Sequence, residues 1–138
     1  MGNTIDMQDM RYINLFGKIT QVNTRFCFKY NDMIIFAVPE KLISKAIGLG
    51  GKNIKKISGT LNRKIKVIKS LNGEEDARRF IADIVSPVTF RDLEIRENEI
   101  IIAAGSQNKA ALIGRNRRRF IELQKIVKNY FSKDLKII

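Results

Sequence analysis

Residues Ala46–Ile57 read AIGLGGKNIKKI, and this stretch decides how the rest of the chain is interpreted. Gly48, Gly50 and Gly51 lie between two amphipathic segments, where glycine allows positive φ and lets another molecule approach the backbone closely. Lysines open the second segment, and the N-terminus of a helix favours an anion. The stretch therefore predicts a phosphate-facing loop between two helices.

The charge of the chain supports a polyanionic partner. The 138 residues carry a formal charge of +12, from 26 Lys and Arg against 14 Asp and Glu. Between Lys41 and Lys69 there are nine basic residues and no acidic one, and between Lys109 and Lys128 seven basic residues face only Glu122. Two basic blocks of this kind predict contact with nucleic acid.

The composition also argues against several classes of protein. With one cysteine, Cys27, and no histidine, the chain forms no internal disulfide and lacks the usual zinc ligands and nucleophile–base pairs. We expect no catalytic residue, metal, cofactor or small-molecule substrate, and Cys27 to be a buried apolar side chain. Because no stretch approaches about 20 apolar residues and no signal peptide is evident, we expect a cytoplasmic protein without a membrane partner.

Hydrophobic periodicity in the first half predicts six elements in the order helix, strand, strand, helix, helix, strand. Thr4 or Asp6 is the expected cap of the first helix, and Asn31 with Asp32 the turn between the first two strands. The expected elements are Ile5–Ile19, Val22–Tyr30, Met33–Val38, a short helix through Leu42–Ile47, a helix from Lys52 through Leu61, and Ile65–Ile68.

The second half repeats this order. A shift of 66 positions places Ile34–Val38 on Ile100–Ala104 and Ile47–Gly48 on Ile113–Gly114, which predicts two copies of one unit of roughly 65 residues. The expected elements are a helix with Ala77, Phe80, Ile81 and Ile84 on one face, opened by a capping box of Asn72 and Glu75, then Val88–Ile95, Glu99–Ala104, Asn108–Ile113, Arg118–Phe131 and Leu135–Ile138.

Two nucleotide-binding patterns fail at the glycine loop. In a Walker A loop, Ala46 would have to be glycine and Asn53 would have to be Ser or Thr, while GxGxxG fails at Asn53 and requires a preceding strand. The pattern that fits is IGxxGxxI between two helices, with Ile47, Gly48, Gly51 and Ile54 at its defining positions. It resembles the KH domain, whose GXXG loop clamps the backbone of single-stranded nucleic acid.

A helix before the first strand resembles the type II KH arrangement, and the tandem repeat from Ile5 to Ile138 is similar to the archaeal NusA family of transcription factors. The segments that carry this resemblance are INLF, FCFKYNDMIIFAV, IGLGGKNIKKI, FIADIVSPV and IGRNRRRF. It implies an α/β (α+β) protein with type II KH domains at residues 1–70 and 71–138, each α-β-β-α-α-β with a three-stranded mixed sheet. It also implies single-stranded RNA and RNA polymerase as partners in transcription elongation or termination.

Arg117 stands where the second loop of such a repeat expects its last glycine. A side chain there is expected to obstruct close approach or force another loop shape, so we expect this unit to bind electrostatically with poorer base discrimination. The expected RNA-binding residues are Ile47, Gly48, Leu49, Gly50, Gly51, Lys52, Asn53, Ile54, Lys55 and Lys66 in the first unit, and Gly114, Arg115, Asn116, Arg117 and Arg118 in the second.

Two other functions fit the same residues. One is a KH protein associated with the ribosome or its assembly, which shares the binding chemistry. The other is a protein-interaction scaffold whose glycine loops are relics, as Arg117 in the second copy suggests.

Overall fold

The fold comes from a computed structural model, which describes residues 6–138. The predicted cap Thr4 and the first predicted helical residue, Ile5, lie outside this range. The described chain divides into two compact units, the first ending at Leu71 and the second running from Asn72 to Ile138.

The first unit contains the six elements that its periodicity predicts. Asp6 caps the first helix, because its carboxylate accepts a hydrogen bond from the Asp9 N–H at 2.7 Å. A short 3-10 turn precedes the second helix and another follows it. The elements are α1 (Met7–Thr20), β1 (Phe26–Tyr30), β2 (Met33–Val38), α2 (Ile43–Ile47), α3 (Lys52–Leu61) and β3 (Lys64–Lys69).

The first strand begins at Phe26, so the prediction that it begins at Val22 is wrong. Two threonine hydroxyls accept hydrogen bonds from backbone N–H groups just ahead of the strand and at its first residue. Thr20 Oγ1 accepts from the Val22 N–H at 3.0 Å, and Thr24 Oγ1 accepts from the Phe26 N–H at 3.1 Å. Side-chain hydrogen bonds of this kind offer the backbone an alternative to sheet pairing.

The sheet of the first unit has the order β1-β2-β3, with β1 antiparallel and β3 parallel to the central strand. Asn31 and Asp32 have φ of 52° and 61°, as the primed turns of two-residue hairpins require. Phe16 of α1 stacks on Phe36 of β2 with ring centroids 4.3 Å apart. The same buried cluster includes Ala46 of α2 and Ile57 of α3, so all three helices pack on one face of the sheet.

The second unit repeats this architecture, with sheet order β4-β5-β6, an antiparallel first pair and a parallel second pair. The predicted internal repeat and the two mixed three-stranded sheets are therefore confirmed. The last helix has 14 residues, whereas α3 has 10, so it is longer by about one turn. The elements are α4 (Ala77–Val85), β4 (Asp92–Ile95), β5 (Glu99–Ala103), α5 (Ser106–Ile113), α6 (Arg118–Phe131) and β6 (Asp134–Ile137).

Two local predictions in this unit are wrong. The strand predicted from Val88 begins at Asp92, and the Val88 N–H instead donates to the Val85 carbonyl at 3.0 Å, which closes a turn. The predicted capping box is replaced by a 3-10 turn, Glu74–Asp76, in which the Asp76 carboxylate accepts from the Asn72 N–H at 3.0 Å.

Within residues 6–138, no helix has the length and apolar character needed to cross a membrane.

Candidate nucleic-acid interface

The first glycine loop joins α2 to α3 through one 3-10 turn, Leu49–Gly51. Gly48, Gly50 and Gly51 have φ of 82°, 63° and 76°. The Gly51 N–H donates to the Gly48 carbonyl at 3.0 Å and closes the turn. Because glycine adopts positive φ at no steric cost, this sequence forms the turn without strain.

Asn53 ties the loop to the helix that precedes it. Its Nδ2 donates to the carbonyl of Lys45 at 3.1 Å. A Cβ at Gly48 would lie 2.9 Å from Asn53 Cγ, so a glycine at that position leaves room for the amide. Asn53, which the sequence predicts as an RNA contact, therefore also positions the loop.

Gly50 and Gly51 form the open part of the loop. Apart from the adjoining residues, no described atom lies within 4 Å of a Cβ built at either glycine, and Leu49, which precedes Gly50, is 91% exposed. In the described chain no side chain caps the start of α3, in contrast to the Asp6 cap of α1. An uncapped helix N-terminus behind accessible backbone is a geometry that accepts phosphate.

Cationic and aliphatic side chains surround this loop. Lys52 and Lys55 are exposed on α3, while Ile47 and Ile54 are half-buried at the two ends of the loop. Lys66 is half-buried on β3, the edge strand that pairs with β2. The predicted residues of the first unit thus fall in two places, the loop with the start of α3 and the edge strand of the sheet.

The second loop has the same backbone conformation as the first. Gly114, Asn116 and Arg117 have φ of 75°, 57° and 61°, and the Arg117 N–H donates to the Gly114 carbonyl at 3.1 Å. The expectation that Arg117 could force another loop shape is therefore wrong. The loop keeps its shape because two side-chain-bearing residues adopt the left-handed conformation, at a cost of roughly 1–2 kcal/mol per residue.

Arg119 occupies the position that Asn53 holds in the first unit. Its Nη1 donates to the Ala111 carbonyl at 3.1 Å, and a Cβ at Gly114 would lie 2.9 Å from Arg119 Cγ. Arg119 therefore ties the second loop to the helix that precedes it, as Asn53 does in the first unit. The shift of 66 residues that relates the two halves also places Asn53 on Arg119, so the repeat carried the signal for this shared role.

Arg117 directs its side chain onto the helix that follows the loop. Its Cζ lies 4.8 Å from the centroid of the Phe120 ring, a cation–π contact. The pair lines a cleft of about 340 Å³ at the edge of the second sheet, and Phe120 and β6 were absent from the predicted site. The residues that line this cleft are Ile113, Arg117, Phe120, Leu135, Lys136 and Ile137.

Arg115 and Arg118, with Asn116 between them in sequence, are exposed. They line a further recess of about 380 Å³ with Ile121 and Glu122. The second loop therefore offers two exposed guanidinium groups to solvent in addition to that of Arg117.

Metal and thiol chemistry find no support in residues 6–138. This part of the chain brings no three His, Cys, Asp or Glu side chains together in a group that could hold a metal ion. Cys27 is buried, and burial raises its pKa to about 12, with the negative charge of Asp9 acting in the same direction. Because the thiolate is the reactive form, this cysteine is an inert core residue.

Comparison with known proteins places the chain among archaeal sequences. The probable transcription termination protein NusA of Methanococcus vannielii is 30% identical over 100 residues, which are 71% of this chain and 56% of that protein. The protein of the same name from Halococcus morrhuae is 22% identical over 134 residues, covering 95% of this chain and 94% of that protein. No family model matches the chain.

A solved structure extends the comparison to the fold. The crystal structure of APE1850 matches 97% of this chain and 100% of its own chain, with a TM-score of 0.70 and 26% identity. Together with the two mixed sheets and the two helix-loop-helix turns, this likeness defines a two-domain KH-like protein. Within that class, the chain is an archaeal NusA-like protein.

Proposed function

We propose that this protein binds single-stranded RNA through the loop Gly48–Gly51, on two type II KH domains formed by residues 1–70 and 71–138. The observation that carries the proposal is the open backbone of Gly50 and Gly51 in front of the uncapped start of α3. Phosphate is the ligand that such a site favours, because it accepts hydrogen bonds and carries negative charge at the positive end of the helix dipole.

The remaining residues of the first unit add to this clamp. Lys52 and Lys55 lie on the first turns of α3, where each phosphate that they neutralise releases a counterion. Ile47 and Ile54 are half-buried beside the loop and supply aliphatic surface for the bases. Lys66 adds a further cation from β3, and the amide of Asn53 holds the loop in position.

The second unit also contacts RNA, through exposed groups of its own loop. Arginine guanidinium groups suit phosphate because their donors form a planar fork. The contributing residues are Gly114, Arg115, Asn116, Arg117 and Arg118.

The names of the relatives give this RNA contact a cellular setting. They are called probable transcription termination proteins, and we infer that this chain acts on nascent RNA in transcription elongation or termination, with RNA polymerase as a partner. It acts in the cytoplasm by binding and catalyses no reaction.

The direct test adds negative charge where phosphate is held. Leu49 is exposed and nothing crowds Gly50, so Leu49→Asp with Gly50→Asp leaves the core untouched. We expect the double variant to bind a fluorescein-labelled single-stranded RNA at least about tenfold more weakly, since each carboxylate a few ångströms from a phosphate costs about 1 kcal/mol even in water. The slope of log affinity against log salt should also become shallower, by about 0.7 for each lost phosphate contact.

A matched control carries the same added charge elsewhere in the first unit. Asn14 and Asn23 are both exposed, and Asn14→Asp with Asn23→Asp should leave the affinity nearly unchanged. If the loop variant folds and binds RNA as tightly as the parent protein, the proposed clamp is wrong.

Crosslinking of bound RNA in cells distinguishes the biological settings. Nascent transcripts crosslinked to the first loop support a role in transcription. Predominantly ribosomal RNA would instead assign the protein to the ribosome or its assembly, and the absence of any crosslinked RNA would favour a scaffold.

A further inference from the structure

The solvent-facing side of α3 carries a group of cations around a glycine. Lys52, Lys55, Lys56 and Gly59 are all exposed. Because an α-helix turns by about 100° per residue, these four residues share one side of α3, and we call that side the outer face. Ile57, which is buried in the core of the first unit, lies on the other side. The outer face therefore points away from the sheet.

The lysines of the outer face lie where they destabilise the helix. The first turn of α3 contains no acidic residue, and the positive end of the helix dipole disfavours cations there. Lys52 precedes Lys55 by three residues and Lys56 by four, and like charges at these spacings repel each other on a helix surface. Within residues 6–138, no carboxylate forms an ion pair with any of the three. The stability of the helix therefore does not account for these charges.

Gly59 lies in the middle of the outer face, and it too weakens α3, because glycine inside a helix is less stable than alanine. Outside its chain neighbours and the backbone of its own helix, no described atom lies within 4 Å of a Cβ built at this residue. Its φ is also not positive. Neither crowding nor backbone conformation requires a glycine here. What Gly59 does provide is open backbone between the lysines, which another molecule can approach closely.

The second unit shows that the fold does not require such a surface. The shift of 66 residues that relates the two halves places the last three residues of the outer face on Ile121, Glu122 and Lys125 of α6. Ile121 is 60% exposed, so the corresponding side of α6 combines an apolar side chain with an acid and a base. Uniform positive charge around a glycine distinguishes α3 from α6.

The chemistry of the outer face favours the RNA backbone over a protein partner. Protein interfaces use apolar and aromatic anchors and are depleted in lysine, whereas the outer face has no apolar side chain. A sugar-phosphate backbone requires only cations and room for close approach. Lys52 directly follows the loop Gly48–Gly51, and Gly59 lies about 10 Å further along the helix. One strand can therefore contact both the loop and the outer face.

We infer that RNA held by the first glycine loop continues over the outer face of α3, where Lys55 and Lys56 bind its phosphates and its backbone lies against Gly59. This inference rests on the proposed function. It extends the bound segment beyond the four nucleotides that a GXXG loop clamps. Because the contacts are to the backbone alone, they are independent of the base sequence.

The test compares single-stranded RNA of two lengths by fluorescence anisotropy with the full chain. A fluorescein-labelled probe of four nucleotides fills the loop, and one of twelve nucleotides also reaches the outer face. We expect the parent chain to bind the longer probe more tightly. The second unit is the same in every chain compared, so a difference between two chains reports on the substituted residue.

Lys56→Gln removes one cation beyond the loop. We expect it to bind the twelve-nucleotide probe about fivefold more weakly, with a slope of log affinity against log salt that is shallower by about 0.7. Binding of the four-nucleotide probe should not change, and oligo(A) and oligo(U) should be affected equally. The matched control is Lys41→Gln, at an exposed lysine of the first unit outside α3, which should leave the affinities for both probes nearly unchanged.

Gly59→Leu separates the backbone contact from charge. Leucine favours the helix more than glycine does, so the Tm should rise by about 4 °C. The affinity for the twelve-nucleotide probe should nevertheless fall several-fold, because the new side chain covers the open backbone. The control is Thr60→Ala, at the adjoining exposed position, which should bind this probe as the parent chain does.

The results separate this inference from the proposed function. If the parent chain binds both probes equally tightly, or if Lys56→Gln and Gly59→Leu bind the longer probe as the parent does, the path over α3 is refuted while the loop clamp stands. Equal weakening of both probes, or a fall in the Tm of Gly59→Leu, also refutes it, because these residues would then belong to the loop site or to the core. If the parent chain binds neither probe, the proposed function fails.

Discussion

Lys133 is a buried lysine whose removal should destabilise the second unit. The residue is 9% exposed, and its ammonium donates hydrogen bonds of 2.8 Å to the carbonyl oxygens of Arg96 and Glu97, in the segment between β4 and β5. It also lies 3.9 Å from the Glu74 carboxylate. One side chain thus connects the end of α6 to the β4–β5 hairpin and to the turn before α4.

The substitution Lys133→Met removes the ammonium and keeps most of the aliphatic stem. A hydrogen bond to a charged group contributes about 1.5–3 kcal/mol, and the lower end applies because Arg96 and Glu97 are exposed, so water replaces the ammonium. The Glu74 side chain is 55% exposed, and a pair of that kind adds little. After allowing for relief of the buried charge, we expect a net loss of about 2 kcal/mol, which corresponds to a fall in Tm of about 8 °C or more for a unit of this size.

Urea unfolding followed by circular dichroism measures this loss. The matched control is Lys128→Met on α6, whose ammonium lies 3.4 Å from Asp134 with a side chain that is 60% exposed. An exposed ion pair contributes at most about 1 kcal/mol and is screened by salt. The loss in Lys133→Met should persist in high salt, while the small effect of Lys128→Met should disappear.

Equal free energies of unfolding for the two variants would refute the assignment of a structural role to Lys133. So would a loss in Lys133→Met that vanishes in high salt, because it would mean that the interaction is a solvent-exposed ion pair. A rise in stability would show that the cost of burying the ammonium exceeds its two hydrogen bonds.

Two further predictions concern the first unit. Because burial raises the pKa of Cys27 from 9.0 to about 12, the native protein should resist iodoacetamide at about pH 8 and react once unfolded in urea. As pH rises, the thiol of the unfolded chain ionises before that of the folded chain. The contribution of Cys27 to stability is therefore complete below about pH 9 and declines as pH rises toward 12. Rapid labelling of native protein would contradict this. Gly48→Ala places a Cβ 2.9 Å from Asn53 at φ of 82°, whereas Gly51→Ala meets open space at φ of 76°. We expect urea unfolding to show a loss of about 1 kcal/mol in the free energy of unfolding for Gly51→Ala and a larger loss for Gly48→Ala. Equal losses would show that Asn53 moves freely.

The regular elements could be predicted because local pattern and tertiary packing agree in them. Met33–Val38 and Arg118–Phe131 form a strand and a helix with the predicted bounds, since β-branched residues fill the first and apolar residues recur at helical spacing in the second. The errors fall at element starts. Thr24 and Asp76 bond to nearby backbone N–H groups there, and a hydrophobic pattern carries no information about that competition.

The glycine loops could be located from sequence, but the contacts around them could not. The glycine pattern and the basic blocks indicate the loop, because they depend on residues that adjoin in the chain. The hydrogen bond from Lys133 to Arg96 spans 37 residues, and the cleft joins Phe120 to Leu135 and Ile137 across a helix and a turn. Such juxtapositions follow from the pairing of β5 with β6, two strands that are far apart in the sequence.

The comparison of the two loops shows what their glycines contribute. If positive φ were the only requirement, Asn116 and Arg117 would serve as well as Gly50 and Gly51, because the backbone takes the same path in both units. The two glycines also leave open space, because nothing described outside the adjoining residues lies within 4 Å of a Cβ built at Gly50 or Gly51. The side chain of Arg117 occupies that space in the second loop. Replacing Gly51 with arginine should therefore preserve the loop and block access to its backbone, and replacing Arg117 with glycine should expose the second backbone while losing the contact with Phe120. The fold permits both kinds of loop, so the difference between the two units lies in what the turn exposes, open backbone in the first and side chains in the second.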